Sequence, residues 1–341
     1  MYYGLLGLAG KVAGSSYGTL TTAWIAATGE TDLTIIGALN TLETDLTTYG
    51  LTSKMKALYP FVGGTSTKHS YNFMNTAAYQ LTFNGGWTHS SNGALPNGTN
   101  AYANTGLVPS SALSQNSTHI STYSRTNIDI IGVDIGAANS GVVNGLYYFA
   151  RYSNNIYSRL NSSTKLDFYT VTSSLGLTMI SRITSLSYKI LKNGSVIKDD
   201  LNASTGLTSS ALQIAAYNDG SIGYYSSRQY ALASIGDGLT DTEAANFYTA
   251  VQTFQTTLGR QVGVPIVSDS DAQAFLNAAV ITDTTQATAI NNFVIGLKAD
   301  SLWTKMAAIY PFVGGTATAH SYNLKNTAAY QLTFNGGWTH S

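Results

Sequence analysis

Few side chains in this 341-residue sequence are suited to chemistry, and their spacing decides what they can do. Glutamate occurs only at Glu30, Glu43 and Glu243. Retaining hydrolysis of a glycosidic bond needs two carboxyl groups about 5 Å apart, one acting as acid and one as nucleophile. All three glutamates fall on predicted helices or their caps, so that mechanism lacks its residues and the sequence reads as non-enzymatic. His69 and His89 recur as His320 and His340, which invites a metal or acid–base role. No Asp, Glu or Cys recurs with them at ligand spacing, and polar loop histidines are the competing account. Trp87, Tyr102, Tyr147, Tyr148, Tyr224 and Tyr225 would serve as a sugar-stacking platform, or else as packing in strands and between subunits. The pairs Gly63-Gly64 and Gly85-Gly86 have neither a lysine nor a following helix, and are turns rather than phosphate loops.

Composition narrows the field further. Charged residues make up 10% of the chain, 17 basic against 17 acidic, so there is no field to attract nucleic acid or an anionic membrane. The absence of cysteine excludes disulfides, thiolate metal sites and cysteine nucleophiles. No stretch approaches the roughly 18 apolar residues of a membrane span. Abundant glycine, with 33 residues, and tyrosine, with 23, supply turns and strands.

The elements that must position these side chains are organised by a repeat. Of the 37 positions from Lys54 to Ser90, 31 are identical in Lys305 to Ser341, at an offset of 251 residues. A weaker match runs back to Ala23 against Ala274. Residues 1–22 read as an irregular arm, and apolar spacing from Thr31 to Leu46 predicts a short helix. Alternation predicts strands at Tyr79–Phe83 and Ile128–Ile135, and a hairpin from Leu146–Tyr152 to Ile156–Leu160. Asn193-Gly194 predicts a type I′ turn. Thr240-Asp-Thr-Glu243 is a capping box that opens a helix with Phe247, Val251 and Phe254 on its apolar face. Shorter helices follow between 268 and 297.

The segment from Leu186 through Asn193-Gly194 to Ile197, then Leu212-Gln-Ile-Ala-Ala-Tyr-Asn218, Arg228 to Ile235 and Gly238 to Ala245, resembles the end of a concanavalin A-like lectin/glucanase domain of the laminin-G type. The Tyr-Pro-Phe-Val-Gly-Gly-Thr and Gly-Gly-Trp-Thr-His-Ser segments look like those of tailed-bacteriophage structural proteins. The resemblance implies a mainly β, concanavalin A-like jelly-roll sandwich with short flanking helices and a partial second repeat at the C-terminus. Its divisions are an N-terminal arm and helical lead-in over 1–53, the jelly roll over 54–262, a helical linker over 263–304, and the opening strands of a second repeat over 305–341. The function it implies is a structural component of a virion (a fibre, decoration or tail-associated protein) that works through assembly with copies of itself or other virion proteins. The alternative is an adhesin, extracellular or on a bacterial surface, that grips a cell-surface glycan. No cofactor is implied beyond a Ca²⁺ ion on the sandwich rim, with Asp129, Asp134 and Asp219 as ligands and Asp199 and Asp200 as further oxygen donors; turn aspartates are the alternative. In the second repeat, Tyr330, Leu332, Phe334 and Trp338 form an apolar stripe with no following domain in this sequence to cover it; either the polypeptide continues into a second jelly roll, or these residues are candidates for assembly as a donor strand to a neighbouring subunit.

Overall fold

A computed structural model describes residues 17–163 and 166–341, and the first sixteen residues of the expected N-terminal arm lie outside the described residues. The helices are α1 (Thr19–Thr28), α2 (Leu33–Thr48), α3 (Ser66–Ser70), α4 (Pro109–Ala112), α5 (Asp241–Thr257), α6 (Ser270–Ala279), α7 (Thr284–Ala299) and α8 (Ala317–Ser321). The strands up to the middle of the chain are β1 (Met55–Tyr59), β2 (Thr82–Asn84), β3 (Trp87–Ser90), β4 (Gly93–Pro96), β5 (Tyr102–Asn104), β6 (Thr118–Ser124), β7 (Ile135–Asn139), β8 (Val143–Tyr152) and β9 (Asn155–Ser162). They continue as β10 (Asp167–Thr170), β11 (Gly176–Arg182), β12 (Tyr188–Lys192), β13 (Ser195–Asp200), β14 (Gln213–Ile214), β15 (Tyr217–Asn218), β16 (Ile222–Gly223) and β17 (Tyr230–Gly236).

Two large open sheets result. One runs β13-β12-β11-β6-β17-β4-β3, with β1 also paired to β17, and the other runs β10-β9-β8-β7-β14-β5-β2. Side chains alternate between the two faces of each strand, and this sorts the molecule into layers. Ile120, Ile180, Ile190 and Ile235 of the first sheet meet Leu146, Tyr148, Ile156 and Ile214 of the second in one buried core. The other face of the first sheet presents Tyr123, Met179, Leu191 and Leu232, which α2 and α5 cover through Leu39, Leu42, Phe247, Val251 and Phe254. Among the described residues no helix covers the other face of the second sheet, which carries Tyr147, Phe149 and Tyr217.

The expectation of a mainly β jelly roll is overturned. Helices take 28% of the described residues and strands 27%, and the sheets are open rather than curled, so this is a mixed α and β fold. The physical reason lies in the first sheet, which is apolar on both faces and therefore needs a helical layer on one of them. Local expectations divide. The capping box of α5 is formed by Thr240 and Glu243, and Asn193 and Gly194 both have positive φ, at 48° and 77°, as a type I′ turn demands. The strand expected at Ile128–Ile135 begins only at Ile135, and the one expected at Tyr79–Phe83 begins at Thr82, because Tyr79 takes a φ of 56°. Part of the expected irregular arm is the helix α1, anchored by the buried Trp24.

The repeat extends further than the close identity does. At the offset of 251, α6 corresponds to α1, α7 to α2 and α8 to α3, and the 3₁₀ turn Trp303–Lys305 corresponds to Thr52–Lys54. Residues 305–341 include no strand. In the first copy, β1, β2 and β3 pair with β17, β5 and β4, all of which lie beyond Ser90. No described helix is long and apolar enough to cross a membrane.

Candidate functional site

The uncovered face of the second sheet holds a cleft of roughly 300 Å³, walled by Tyr147, Phe149, Tyr152, Tyr157, Tyr217 and Tyr224 and rimmed by Ile131, Val133, Val142 and Leu166. Strand period explains its walls. On β8, Leu146, Tyr148 and Ala150 point into the core, so Tyr147 and Phe149 must point out, and antiparallel register sets Phe149 opposite Tyr157 of β9. Gly136 on β7 leaves the room that Tyr147 needs, since a Cβ there would stand 2.3 Å from that of Tyr147. The rings meet edge to face, Tyr147 with Tyr217 at 4.9 Å between centroids and Phe149 with Tyr224 at 6.1 Å, an arrangement that aromatic quadrupoles favour. Arg159 lies over the Tyr147 ring at 5.9 Å, with Nη1 donating to the Val142 carbonyl.

Burial pushes the Tyr147 and Tyr217 phenols up, and Tyr217 is raised further by Tyr147 and Asp219. Both stay protonated and neutral near pH 7. The Tyr217 hydroxyl is buried without a partner. Among the described residues the cleft's lining therefore offers apolar ring faces and neutral phenols, with the Arg159 guanidinium over one of those rings, which suits a ligand with both C–H faces and hydroxyls.

A buried ion pair holds the two loops that bound the cleft. Asp134 and Arg228 are both fully buried and 3.1 Å apart. Asp134 also accepts from Tyr230 Oη at 2.7 Å and from the Ala150 amide. Arg228 donates to the carbonyls of Ile128, Gly132 and Arg151, while the Val133 amide donates to the Tyr224 carbonyl at 2.8 Å. The loops that carry Ile131 and Tyr224 are thereby tied to each other at the cleft.

The structure thus brings Tyr147 and Tyr224 together and leaves the other sequence candidates elsewhere. Tyr148 is in the core, with its hydroxyl donating to Thr122 Oγ1 at 2.7 Å. Trp87 and Tyr102 lie on β3 and β5, where the Trp87 indole donates to the Asn84 carbonyl at 3.0 Å. Tyr225 follows Tyr224 and donates to the Ile222 carbonyl. Sequence reading missed Phe149, Tyr152, Tyr157 and Tyr217. The alternation of β8 and its hairpin register with β9 was the signal that places Phe149 and Tyr157 beside Tyr147.

The aspartates expected to hold Ca²⁺ do not converge. Asp134 is in the buried pair, Asp129 accepts from the Asn154 amide and pairs with Arg151, and Asp219 sits in a turn beside Ser221. Asp199 and Asp200 belong to β13. Among the described residues no three His, Asp or Glu side chains gather where a metal ion could be held. The repeated histidines form matching pairs, with Nδ1 atoms 2.9 Å apart in His69–His89 and again in His320–His340. Each glutamate is engaged in holding the fold. Glu30 binds Lys68 and the amides of Thr31 and Asp32, Glu43 accepts from Leu20 and Thr21, and Glu243 caps α5 and pairs with Lys54. In the second copy Tyr330 and Trp338 are 72% and 61% exposed, and Leu332 and Phe334 are half-buried.

No family model and no curated protein sequence matches the chain. Among solved structures, it is similar to domain 4 of AbnA, a GH43 extracellular arabinanase from Geobacillus stearothermophilus, in complex with arabinotriose, with 13% identity over 57% of this chain and 98% of that one and a TM-score of 0.41. The binding domain of botulinum neurotoxin serotype G is matched at 15% identity over 58% of this chain and 51% of that one, with a TM-score of 0.39. The CBM40 of the Ruminococcus gnavus IT-sialidase, bound to α2,3-sialyllactose, is matched at 14% identity over 38% of this chain and 80% of that one, with a TM-score of 0.30.

Proposed function

We propose that the protein is a non-enzymatic carbohydrate-binding module, that its site is the aromatic cleft on the uncovered face of the second sheet, and that the sugar it takes is neutral. The observation that carries this reading is the cleft's wall of five tyrosines and Phe149, with no charged side chain among the described lining residues. Sugar C–H faces pack on such rings while the phenols exchange hydrogen bonds with hydroxyls. Among the described residues the cleft's lining supplies no cation for the carboxylate of an acidic sugar, and the nearby Arg159 is engaged over the Tyr147 ring with Nη1 donating to the Val142 carbonyl. The virion reading rests on sequence resemblance alone, so the glycan-binding alternative takes its place. Such a module works where glycans are displayed, on a cell surface or outside it.

The test is a glycan array, run with and without Ca²⁺, followed by calorimetry on the sugars retained. A neutral oligosaccharide should bind, and Tyr224→Ala should weaken it at least tenfold without lowering the thermal midpoint, because that ring is 52% exposed. Binding confined to acidic sugars, or unaffected by both Tyr224→Ala and Tyr157→Ala, would remove the site from the cleft.

A further inference from the structure

A tyrosine that enters a core normally finds a partner for its hydroxyl within the protein, and the two cores under and over the first sheet keep to that rule. Tyr59 donates to the Tyr79 carbonyl, Tyr123 to Gln252 Oε1, Tyr148 to Thr122 Oγ1 and Tyr230 to Asp134 Oδ1, each at 2.7 Å, and Tyr188 donates to the Ser158 carbonyl at 3.0 Å. Tyr217 departs from it. That residue is 5% exposed, yet its hydroxyl is buried with no hydrogen-bond partner among the described residues. None of the other five lines the aromatic cleft, and Tyr217 does. Its surroundings do not supply what is missing. Tyr147 and Tyr224 meet it edge to face, at 4.9 and 6.1 Å between centroids. Asp219 is near enough to raise the phenol and Arg159 to lower it, but neither bonds to it. Gly223, opposite Tyr217 in the pairing of β15 with β16, has no side chain to offer, although a Cβ there would meet nothing within 4 Å. An unpaired buried hydroxyl costs stability, so packing alone does not account for a tyrosine where phenylalanine would fill the same space.

We propose that Tyr217 is the specificity-determining residue of the cleft, and that its hydroxyl, left unpaired by the protein, pairs with one particular hydroxyl of a bound neutral sugar. This inference rests on the carbohydrate-binding reading given above and sharpens it. Tyr224 is the ring that yields as the sugar enters, being 52% exposed where Tyr147 is 6% exposed. A sugar without a hydroxyl at the matching position leaves Tyr217 as unpaired in the complex as it is in the free chain, and binds more weakly for that reason. A site that hydrogen-bonds one hydroxyl discriminates against the analogue that lacks it, whereas ring faces alone accept any C–H face of similar shape.

The experiment is calorimetry on the full chain and on Tyr217→Phe, using the neutral oligosaccharide that the glycan array retains most tightly and then each of its monodeoxy forms. Tyr217→Phe should weaken the unmodified sugar about tenfold. Its thermal midpoint should be unchanged or raised, because the substitution removes an unpaired group and keeps the ring; a purely structural hydroxyl would give a lower one. One monodeoxy sugar should bind the unsubstituted chain about as weakly as the unmodified sugar binds Tyr217→Phe, and should lose nothing further on that variant. Binding that depends on Tyr224 but is indifferent to Tyr217→Phe overturns this inference and leaves the carbohydrate reading standing. A lowered midpoint for Tyr217→Phe, or equal losses for every monodeoxy sugar on both chains, also overturns it. If no neutral glycan on the array binds, the inference falls together with the reading it rests on.

Discussion

Asp134 shows how one residue changes meaning once its surroundings are known. By sequence it is a turn aspartate with oxygens to spare; in the fold both oxygens are taken by Arg228, Tyr230 and the Ala150 amide. A buried charge that loses its partner keeps its desolvation penalty, so Arg228→Ala should cost about 3–5 kcal/mol in urea unfolding. A change below about 1 kcal/mol would mean that water reaches Asp134. The buried histidines set a pH dependence. Burial holds His69 down to about 3, helped by His89 and Arg260, and holds His119 down to about 4 against the raising effect of Asp237. The folded chain therefore keeps both neutral, whereas the unfolded chain takes up protons near the ordinary value of 6.5. Their contribution is complete above that value and is lost as pH falls toward 4 and 3. One pH unit below 6.5 each should remove about 1.4 kcal/mol. Urea midpoints measured from pH 7.5 to 5 should fall accordingly, and less steeply in His119→Gln; a flat profile would contradict the buried neutral state.

Among the elements, α5 was the most legible, and it packs on the first sheet. Its capping box, apolar stripe and terminal glycine are local signals that tertiary contacts reinforce, and Phe254 ends up 1% exposed against the first sheet with Arg260 over its ring at 5.4 Å. Phe254→Ala should cost about 3–5 kcal/mol and Thr240→Ala about 1 kcal/mol, read from denaturant midpoints. Equal small losses for both would place the helix off the sheet. Where sequence reading failed, a specific competitor for the backbone can be named. Residues 128–134 alternate like a strand, yet Ile128 and Gly132 give their carbonyls to the Arg228 guanidinium instead of to a ladder. Tyr79 alternates correctly with Leu81, but its carbonyl accepts from Tyr59 Oη at 2.7 Å in a turn. α1 was hidden because Trp24 follows a glycine-rich stretch with no local cap, Gly18 standing at the N-cap position while the first-turn amides are taken by Glu43 of α2. The cleft was half legible for a related reason: single tyrosines can be picked from a sequence, but their assembly depends on strand register.

At the scale of the whole chain, the same repeat explains both the error in fold class and the way the molecule should unfold. Counting strand signals between 79 and 235 favoured a mainly β reading, whereas the repeated unit begins with two helices, α1–α2 and again α6–α7, that each copy uses as its own apolar support. The substitution of Met74 by Lys325 fits this division, since Lys325 lies over Trp303 at 4.2 Å within the second copy. The core of that copy, from Phe275, Leu276, Ile290, Val294, Trp303 and Leu324, draws only on residues after 263. Among the described residues, the hydrogen bond of Gln252 to the Val264 carbonyl runs between the two units, too little to make two cores melt as one. The full chain should therefore unfold in two steps, the smaller followed by Trp303 and Trp338 and the larger by Trp24 and Trp87. Chains in which Trp303 and Trp338, or Trp24 and Trp87, are replaced by phenylalanine would separate the signals. Deleting residues 267–341 should abolish the first step and leave the second midpoint in place. A single transition seen by both tryptophan pairs, or a lowered midpoint in the shortened chain, would show instead that the second copy helps to hold the first together.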